Sequence, residues 1–481
     1  MNRFFLDTRE LGFEPPQRAF ARFDQSEPVE TTEADEALVA FEAVDADWLR
    51  HAPAFEPAAP PAFSRRWAAY WRHIAEPTRP PDDPYAETPI FRLETTIGRD
   101  RPLFDELAKY GHEPRWKMFE RAPDGPYEVD VFGGLFTAPI AARYHVHDVP
   151  QPTEALLDIV FDMDTWPDAT DDDIENALRS SAAADYLAVY DIGQGSANGL
   201  LDGSREPRLY FDLGCGVYRN AHTTPTPLRY CWSADPPIVL SHWDSDHWAG
   251  ANKDTNALGR TWIAPRQKIG PIHSGFANGI LQAGGRILVW GPTGAATITV
   301  GGSGRPVSIS RCTGSGRNGS GLAVTVEDTH TNQGWLLTGD AGYHELRQPP
   351  AANLSAVVVP HHGADMGSRS QPPSPGAAAA YQRLLYSFGD GNRHGKTGVQ
   401  HPTANAVNVH HAAGWHHGTW QGTAAPGHTV AGHDVVATAA HQAGHLGGVI
   451  VGWSAAPNLS AAHCGAVLGT PATCSLSLDQ N

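Results

Sequence analysis

Three short apolar runs in the second half of the chain each lead into histidine and aspartate residues. PIVL (237–240) leads into SHWDSDH (241–247), GWLLT (334–338) leads into Gly339-Asp340, and SAVVVP (355–360) leads into His361-His362-Gly363. Continuous apolar runs of this length are typical of strands covered on both faces. Because the strands of an α/β sheet deliver their end residues to a common edge, we expect these side chains to converge on one site.

The spacing H-x-D-x-D-H favours a metal site. His242 and Asp244 alternate, so both can point to one side of an extended loop, and the adjacent Asp246 and His247 can reach a second ion a few Å away. A solvated loop explains a lone pair of such residues, but not four ligand-type residues within six positions. We therefore predict two divalent ions held by His242, Asp244, Asp246, His247, Asp340 and His361.

The order of these motifs is similar to that of the metallo-β-lactamase superfamily and, more narrowly, of the hydrolase domain of ComEC-type competence proteins. Four further segments resemble motifs of that domain: VYDIGQGSANGLL (189–201), LYFDLGCG (209–216), Asn318 before Ser320-Gly321-Leu322, and SFGDGN (387–392) with His401-Pro402. The resemblance spans residues from about 183 to about 415. It implies an α/β fold, an αββα sandwich that a separate acidic N-terminal region precedes.

The chain departs from the family pattern at several positions. Asp244 stands where the commoner superfamily motif has histidine, which makes the ligand set harder and brings manganese into competition with zinc. Ala364 replaces the serine that usually follows H-H-G, and the segment GKTGVQ separates the closing asparagine from His-Pro, so His394 and His401 compete for one role. The membrane channel of the competence proteins has no counterpart here, so DNA uptake is not implied.

The resemblance also implies roles. Asp340 would bridge the two ions, and Asp246 would bind one ion and orient the nucleophilic water. His362, His401 or Asn318 would hold the scissile phosphate or protonate the leaving oxygen. For His362 and His401, support of the ligands from behind is an equally open interpretation.

Three functions fit these features. The first is a metal-dependent phosphodiesterase or nuclease acting on DNA or RNA. The second is a small-molecule hydrolase of the same fold, cleaving a cyclic nucleotide or a phosphocholine-type ester; the absence of a basic stripe from the catalytic half leaves it open. The third is a non-enzymatic binding module, which a full six-ligand set disfavours because structural sites are usually mononuclear and cysteine-rich.

Charge divides the chain into two regions. Residues 1–180 carry 36 Asp and Glu against 18 Lys and Arg, a net charge of −18 that equals the charge of the whole chain. We predict an acidic, partly helical accessory region over 1–180, with helices over 34–51 and 63–76, that binds a protein partner or self-associates. The hydrolase domain is predicted over 183–455 and a C-terminal tail over 456–481.

The remaining composition gives weaker expectations. No apolar run approaches the ~20 residues of a membrane span, so we expect a cytoplasmic protein with no membrane contact. The five scattered cysteines indicate free buried thiols. Core packing is slightly favoured over base stacking for Trp243 and Trp248, and solvated loops are favoured over metal binding for the histidine-rich segment after residue 403.

Overall fold

The computed structural model of the chain has two compact units. The first comprises Met1–Pro167, Gln267–Ile287 and Arg393–Val399, and the second comprises Asp168–Arg266, Leu288–Asn392 and Gln400–Asn481. The structure describes residues 1–7, 12–28, 36–52, 55, 60–98, 102–104, 115–181, 184–301, 304–348, 353–377, 381–394, 400–417, 434–439, 447–459 and 474–481.

The first unit is built on a closed six-stranded barrel in which all six pairs of neighbouring strands are antiparallel. Its strands, in the order β1-β2-β3-β5-β6-β4, are β1 (Arg18–Pro28), β2 (Glu36–Asp45), β3 (Ile90–Gly98), β4 (Trp116–Arg121), β5 (Tyr127–Phe132) and β6 (Ile140–Asp148). The helices of this unit are α1 (Ala46–Leu49), α2 (Pro60–Trp71), α3 (Gln151–Phe161) and α5 (Pro271–Gln282). Helix α2 confirms most of the helix predicted over 63–76, which ends in a 3₁₀ turn at Arg72–Ala75.

The helix predicted over 34–51 is wrong, because most of that segment is strand β2. Val39, Phe41 and Ala43 alternate into the barrel core, which fixes a period of two residues rather than the helical period. The intervening Glu42 is also buried, and its carboxylate accepts a hydrogen bond from the backbone N–H of Ile272 at 2.7 Å. A carboxylate at a helix N-terminus is stabilised by the free N–H groups there, so Glu42 caps α5.

This contact explains why the units differ from the division predicted from sequence. The segment Gln267–Ile287, predicted as part of the hydrolase domain, belongs to the first unit, whereas Asp168–Ser181, predicted as part of the acidic region, belongs to the second. The predicted tail over 456–481 is also not separate, since Gln480 forms a parallel bridge with Val449 of the second unit.

The second unit contains two seven-stranded sheets. The first sheet, in the order β12-β11-β10-β9-β8-β7-β20, consists of β7 (Tyr186–Val189), β8 (Ala197–Leu201), β9 (Pro207–Leu213), β10 (Ile238–Val239), β11 (Thr261–Pro265), β12 (Arg286–Trp290) and β20 (Val449–Val451). The second sheet, in the order β13 to β19, consists of β13 (Thr297–Val300), β14 (Val307–Arg311), β15 (Leu322–Asp328), β16 (Gln333–Leu337), β17 (Leu354–Val358), β18 (Arg383–Tyr386) and β19 (Val435–Ala437).

The two sheets share one apolar core. Leu187, Phe211 and Val239 of the first sheet and Val324 and Trp335 of the second belong to a single cluster of buried side chains. The pairs β9–β10 and β10–β11 are parallel, as are the successive pairs from β16 to β19. Parallel strands need cover on both faces, which accounts for the continuous apolar runs in the sequence.

Helices complete the second unit. They are α4 (Asp171–Leu178), α6 (Gly316–Gly319) and α7 (Ala404–Ala412). Val407 of α7 packs on the outer face of the second sheet, and Ile174 and Leu178 of α4 join the common core. Helix α4 begins with a capping box that Thr170 and Asp173 form. The chain is therefore a mixed α/β protein, and in its second unit two β-sheets pack face to face on one core.

Two further expectations can be compared with the structure. Cys215, Cys312 and Cys474 are free, but Cys231 is disulfide-bonded, so the prediction of free thiols is wrong at that residue. Within the described ranges, none of the helices has the length and apolarity to span a bilayer.

Candidate metal centre

Asp340 lies at the middle of a group of histidines that three strand ends bring together. It follows β16, His242 and His247 follow β10, and His361 follows β17. The Nε2 atom of His247 lies 3.1 Å from Asp340 Oδ1, and the Nε2 atoms of His242 and His361 lie 3.7 and 3.5 Å from Asp340 Oδ2. The sequence-predicted convergence of these four side chains is therefore present, with all three histidine rings within 3.7 Å of the Asp340 carboxylate.

Asp244 and Asp246 extend this group in two directions. Asp244 Oδ2 lies 3.3 Å from His242 Nε2, and Asp246 Oδ2 lies 3.2 Å from His362 Nε2. Within the second unit, two sets of residues have ligand atoms that all lie within 4.8 Å of one another, and either set could hold an ion: His242, His247 and Asp340, or Asp246, His247 and His362. His362, predicted to act on the substrate, thus stands at ligand distance, while the predicted ligand His361 is the more exposed of the two, with 21% of its side chain accessible.

The histidine rings are oriented by partners on the side away from the centre. The Nδ1–H of His247 donates to Asp212 Oδ2 at 2.8 Å, that of His362 to the carbonyl of Ser387 at 3.0 Å, and that of His242 to Ser241 Oγ at 3.0 Å. With Nδ1 donating to these acceptors, the neutral form of each ring has its Nε2 lone pair directed at the centre. This is the tautomer that a metal ligand requires.

Asp212 organises this arrangement, and sequence reasoning did not select it as a functional residue. Fully buried at the end of β9, it accepts hydrogen bonds from the backbone N–H of Ser241 at 2.7 Å and from the Ser241 hydroxyl at 2.9 Å, besides that of His247. Its φ of 64° is in the left-handed region, which a non-glycine residue adopts at a cost. The sequence did contain an indication of this role, because Asp212 is the aspartate of D-x-G in LYFDLGCG, an acidic residue at the end of an apolar strand.

The backbone around the ligands is closely packed. A Cβ atom on Gly214 would lie 1.7 Å from the carbonyl oxygen of Asp246, so only glycine permits the approach of these two segments. His361 and His362 have φ values of 49° and 54°, and two successive non-glycine residues in this region are uncommon. Strained backbone of this kind concentrates at functional sites, where surrounding structure holds it in place.

The charges at the centre stabilise one another. Burial opposes ionisation of Asp340, but the nearby His247, His361 and His242 outweigh it and hold the pKa of Asp340 well below its usual range. Burial likewise opposes protonation of His247, yet Asp340 and Asp212 raise the pKa of this imidazole well above its usual value. The site therefore favours a cation between His247 and the carboxylates, and a divalent ion binding there would replace a proton.

The donor set fits divalent metal ions. The Nε2 atoms of His242, His247 and His362 are buried and make no hydrogen bond within the described part of the chain, although carboxylate oxygens lie nearby. A buried polar atom without a hydrogen bond is costly unless it has another partner, and imidazole and carboxylate are ordinary ligands of zinc and manganese. All six predicted ligands belong to the second unit.

The remaining predicted catalytic residues lie at different places. His401 packs its ring edge-on against that of His361, with 5.6 Å between centroids. The side-chain amide of Asn392 donates to the backbone carbonyl of His401 and accepts from the backbone N–H of His401. His401 and Asn392 of the closing motif are thus in contact despite the inserted segment, and His401 lies beside His361, whereas His394 belongs to the first unit. Asn318, in α6, is half-buried and makes no side-chain hydrogen bond within the described residues.

The tryptophans and the later histidines have structural roles where they are described. Trp243 and Trp248 are fully buried, and their indole N–H groups donate to the carbonyls of Pro265 and Trp243, which confirms core packing. His410 and His417 are buried, and burial lowers the pKa of each to about 4, so both are neutral. The later histidines His428, His433, His441 and His445 fall outside the described residues.

Comparisons with known proteins add little to this geometry. No family model matches the chain, and no curated protein matches it. Among solved structures, the Zn²⁺-bound PqqB from Methylobacterium extorquens is similar at 11% sequence identity, covering 47% of this chain and 85% of that one, with a TM-score of 0.24. The description of the candidate site therefore rests on the residues of this chain.

Proposed function

We propose that this protein is a metal-dependent hydrolase of the metallo-β-lactamase type that cleaves phosphodiester bonds. The observation that carries the proposal is the common orientation of His242, His247 and His362, whose Nδ1 atoms are held by protein partners and whose Nε2 atoms face Asp340 and Asp246. Three rings fixed in one tautomer around carboxylates are the preparation that ion binding requires. The similarity of the motif order to ComEC-type hydrolase domains points the same way.

The ligand residues would divide into two groups on either side of Asp340, and His247 would belong to one of them, because its Nδ1 is bonded to Asp212 and its single free nitrogen, Nε2, can bind one ion. His242, Asp244 and His361 surround one side of Asp340, while Asp246 and His362 lie on the other. Divalent ions held there supply an activated water and neutralise charge on the attacking and leaving oxygens. Asp246 has 25% of its side chain accessible, more than Asp340 has, so a water nucleophile can reach its carboxylate. Burial opposes its ionisation, but His362 and His247 outweigh this effect and hold the pKa of Asp246 below its usual range, so the ionised carboxylate would orient that water by accepting a hydrogen bond from it.

Charge supports an anionic substrate. These seven residues bring three carboxylates, so two divalent ions would leave the ligand set with a net positive charge. A phosphodiester carries one negative charge and matches this centre. Residues 181–481 are neutral overall and have no basic stripe, so a cyclic nucleotide or another small phosphodiester is favoured over long nucleic acid by the lack of an electrostatic track.

The test is hydrolysis of bis(4-nitrophenyl) phosphate by the full chain with added Mn²⁺ or Zn²⁺, followed by linear DNA, RNA and a cyclic dinucleotide under the same conditions. We expect turnover that chelation abolishes, and a loss of at least ~100-fold in Asp246→Asn, the scale of one general-base or electrostatic contribution. A matched control is Asp365→Asn, because Asp365 is exposed and its carboxylate bonds only the backbone N–H of Gly367 in the described structure.

The outcomes separate the candidate functions. Activity restricted to the cyclic dinucleotide identifies a small-molecule phosphodiesterase, and activity on linear DNA or RNA identifies a nuclease. A metal-loaded protein that cleaves none of the four substrates supports the binding-module function instead. Equal activity of Asp246→Asn and the unaltered chain would place the reaction elsewhere.

A further inference from the structure

Asp244 adds a buried negative charge at a position where the commoner superfamily motif has a neutral histidine. Its side chain is only 10% accessible, and it lies in the same loop as the carboxylate of Asp246. Burying a carboxylate costs free energy unless a cation compensates for it. An ion at the centre can satisfy one oxygen of Asp244, but the second oxygen needs a separate partner.

That partner is Arg317. Its Nε atom lies 3.0 Å from Asp244 Oδ1, and its side chain is 9% accessible. The other oxygen, Oδ2, faces the centre and lies 3.3 Å from His242 Nε2. The two carboxylate oxygens therefore have different surroundings: Oδ2 faces the ligands, and Oδ1 lies beside the guanidinium in an ion pair without a hydrogen bond in the described structure. The attraction between the two charges favours the rotation of the carboxyl group that keeps Oδ1 beside Arg317.

Arg317 is delivered to Asp244 by backbone that is itself bonded to the metal-ligand loop. It lies in α6, which begins at Gly316 with a φ of 67°, a conformation that favours glycine. Immediately after this helix, the N–H of Leu322 donates to the carbonyl of Ser241 at 2.7 Å. A Cβ atom on Gly321 would lie 2.6 Å from the same carbonyl, so the two segments are in direct contact. Arg317 consequently keeps a fixed position relative to His242 and Asp244.

We infer that Arg317 is a positioning residue that makes Asp244 a one-oxygen metal ligand and balances its charge. Asp244 and Arg317 would then act as a pair: aspartate replaces histidine as a ligand, and arginine compensates for the negative charge that aspartate adds. This inference rests on the proposed function, because it assumes that the centre binds metal. The inference also predicts that loss of the Arg317 guanidinium weakens binding of the ion near His242 and Asp244, and not of the ion near Asp246.

The first experiment is calorimetric titration of the chelator-stripped full chain with Mn²⁺ alone. In the unaltered protein we expect two binding steps. Arg317→Gln weakens one of them by about 10–100-fold and leaves the other within about twofold, the range typical when a residue that orients a ligand is removed. Arg317→Lys restores part of the loss, because it keeps the charge and lacks the planar fork.

A matched control is Arg347→Gln. Arg347 is an exposed arginine of the same unit whose Nε donates to the carbonyl of Arg311, so its replacement removes the same charge outside the centre. We expect both Mn²⁺ affinities of the Arg347→Gln variant to equal those of the unaltered protein. The visible spectrum of the Co²⁺-loaded protein gives a second readout, since a rotated Asp244 alters the bands of one ion in Arg317→Gln and not in the control.

A double-mutant cycle separates positioning from general structural support. Asp244→His restores the histidine of the commoner motif but leaves Arg317 facing an uncharged ring beside two cations. We expect Asp244→His alone to weaken the first Mn²⁺ step at least about tenfold, and Arg317→Gln in that background to recover affinity rather than lose more. The sign of the Arg317→Gln effect therefore reverses between the two backgrounds, which a merely structural arginine cannot produce.

The outcomes distinguish the two levels of the proposal. If the unaltered chain takes up no Mn²⁺, the proposed function fails. If it binds two ions and Arg317→Gln binds them with unchanged affinities and an unchanged Co²⁺ spectrum, only the role of Arg317 is wrong. An equal loss from Arg317→Gln in both backgrounds also refutes the coupling, and circular dichroism of each variant shows whether the fold is retained.

Discussion

Replacing Asp212 by asparagine tests whether the histidine tautomers prepare the centre for metal. Asp212 Oδ1 accepts from the Ser241 backbone, and Oδ2 accepts from the Ser241 hydroxyl and from His247 Nδ1. Asparagine has one oxygen and one NH₂ group, so in either orientation a buried N–H donor faces another donor. An unsatisfied buried donor costs about 1–3 kcal/mol, and a lost charged hydrogen bond costs a similar amount, so we expect about 3 kcal/mol of stability to be lost.

The change in metal affinity tests the role of Asp212 more specifically than the change in stability does. When the amide N–H faces His247, the imidazole proton moves to Nε2, which then points at the position of the ion. We expect metal affinity to fall about 10–100-fold, measured by Mn²⁺ titration of folded Asp212→Asn. Asp328→Asn is the matched control, because Asp328 is a buried carboxylate of the same unit that accepts from the backbone of His330 and Thr331. It should lose stability and keep metal affinity; an Asp212→Asn protein with unaltered affinity would refute the reasoning.

Three further predictions follow from other parts of the second unit. His410 donates from Nδ1 to the carbonyl of Ala406 and accepts at Nε2 from Tyr343, and burial lowers its pKa to about 4. The unfolded chain therefore binds more protons between pH 6.5 and 4, so stability falls as pH drops through this window by up to about 3 kcal/mol, and His410→Gln should flatten that slope in urea melts. Trp335 is fully buried and stacks on Trp453 with 3.9 Å between ring centroids, so Trp335→Ala should cost about 3–5 kcal/mol in the same melts, against little change for Leu459→Ala, whose side chain is exposed. Metal at 100 times its dissociation constant should stabilise the chain by about 2.7 kcal/mol, and differential scanning calorimetry with and without chelator measures this shift, which the Asp340→Asn variant should lack.

Much of the candidate metal centre could be predicted from the sequence, because most of its ligand residues follow directly after the apolar strands that position them. The apolar runs before His242, Asp340 and His361 form the strands that the pattern indicated, and parallel pairing then places their ends together. The choice between His361 and His362 could not be predicted, since it depends on two successive left-handed residues that turn His362 towards Asp246. Arg317 was also inaccessible to sequence reasoning, because its approach to Asp244 depends on how α6 packs beside Ser241.

The fold of the first unit was harder to predict for the same physical reason. In β2, apolar residues occupy both faces, so EALVAFEAVD shows no clean alternation and is compatible with a helix. The barrel closes through pairing of β1 with both β2 and β4, which joins residues about a hundred positions apart. The burial of Glu42 similarly depends on α5, more than two hundred residues later in the chain. Such long-range contacts leave no local pattern in the sequence.

The central claim is that Asp340 and the histidine and aspartate residues around it bind metal. The number of bound ions tests this claim most directly. Chelator-stripped full-length protein is dialysed against Mn²⁺ or Zn²⁺ and its metal content is determined by elemental analysis, beside Asp340→Asn and the control Asp365→Asn. Our account predicts about two ions per chain in the unaltered protein and the control, and at most one in Asp340→Asn, because Asp340 contacts three of the histidines. No bound metal in the unaltered chain, or two ions retained in Asp340→Asn, would contradict it.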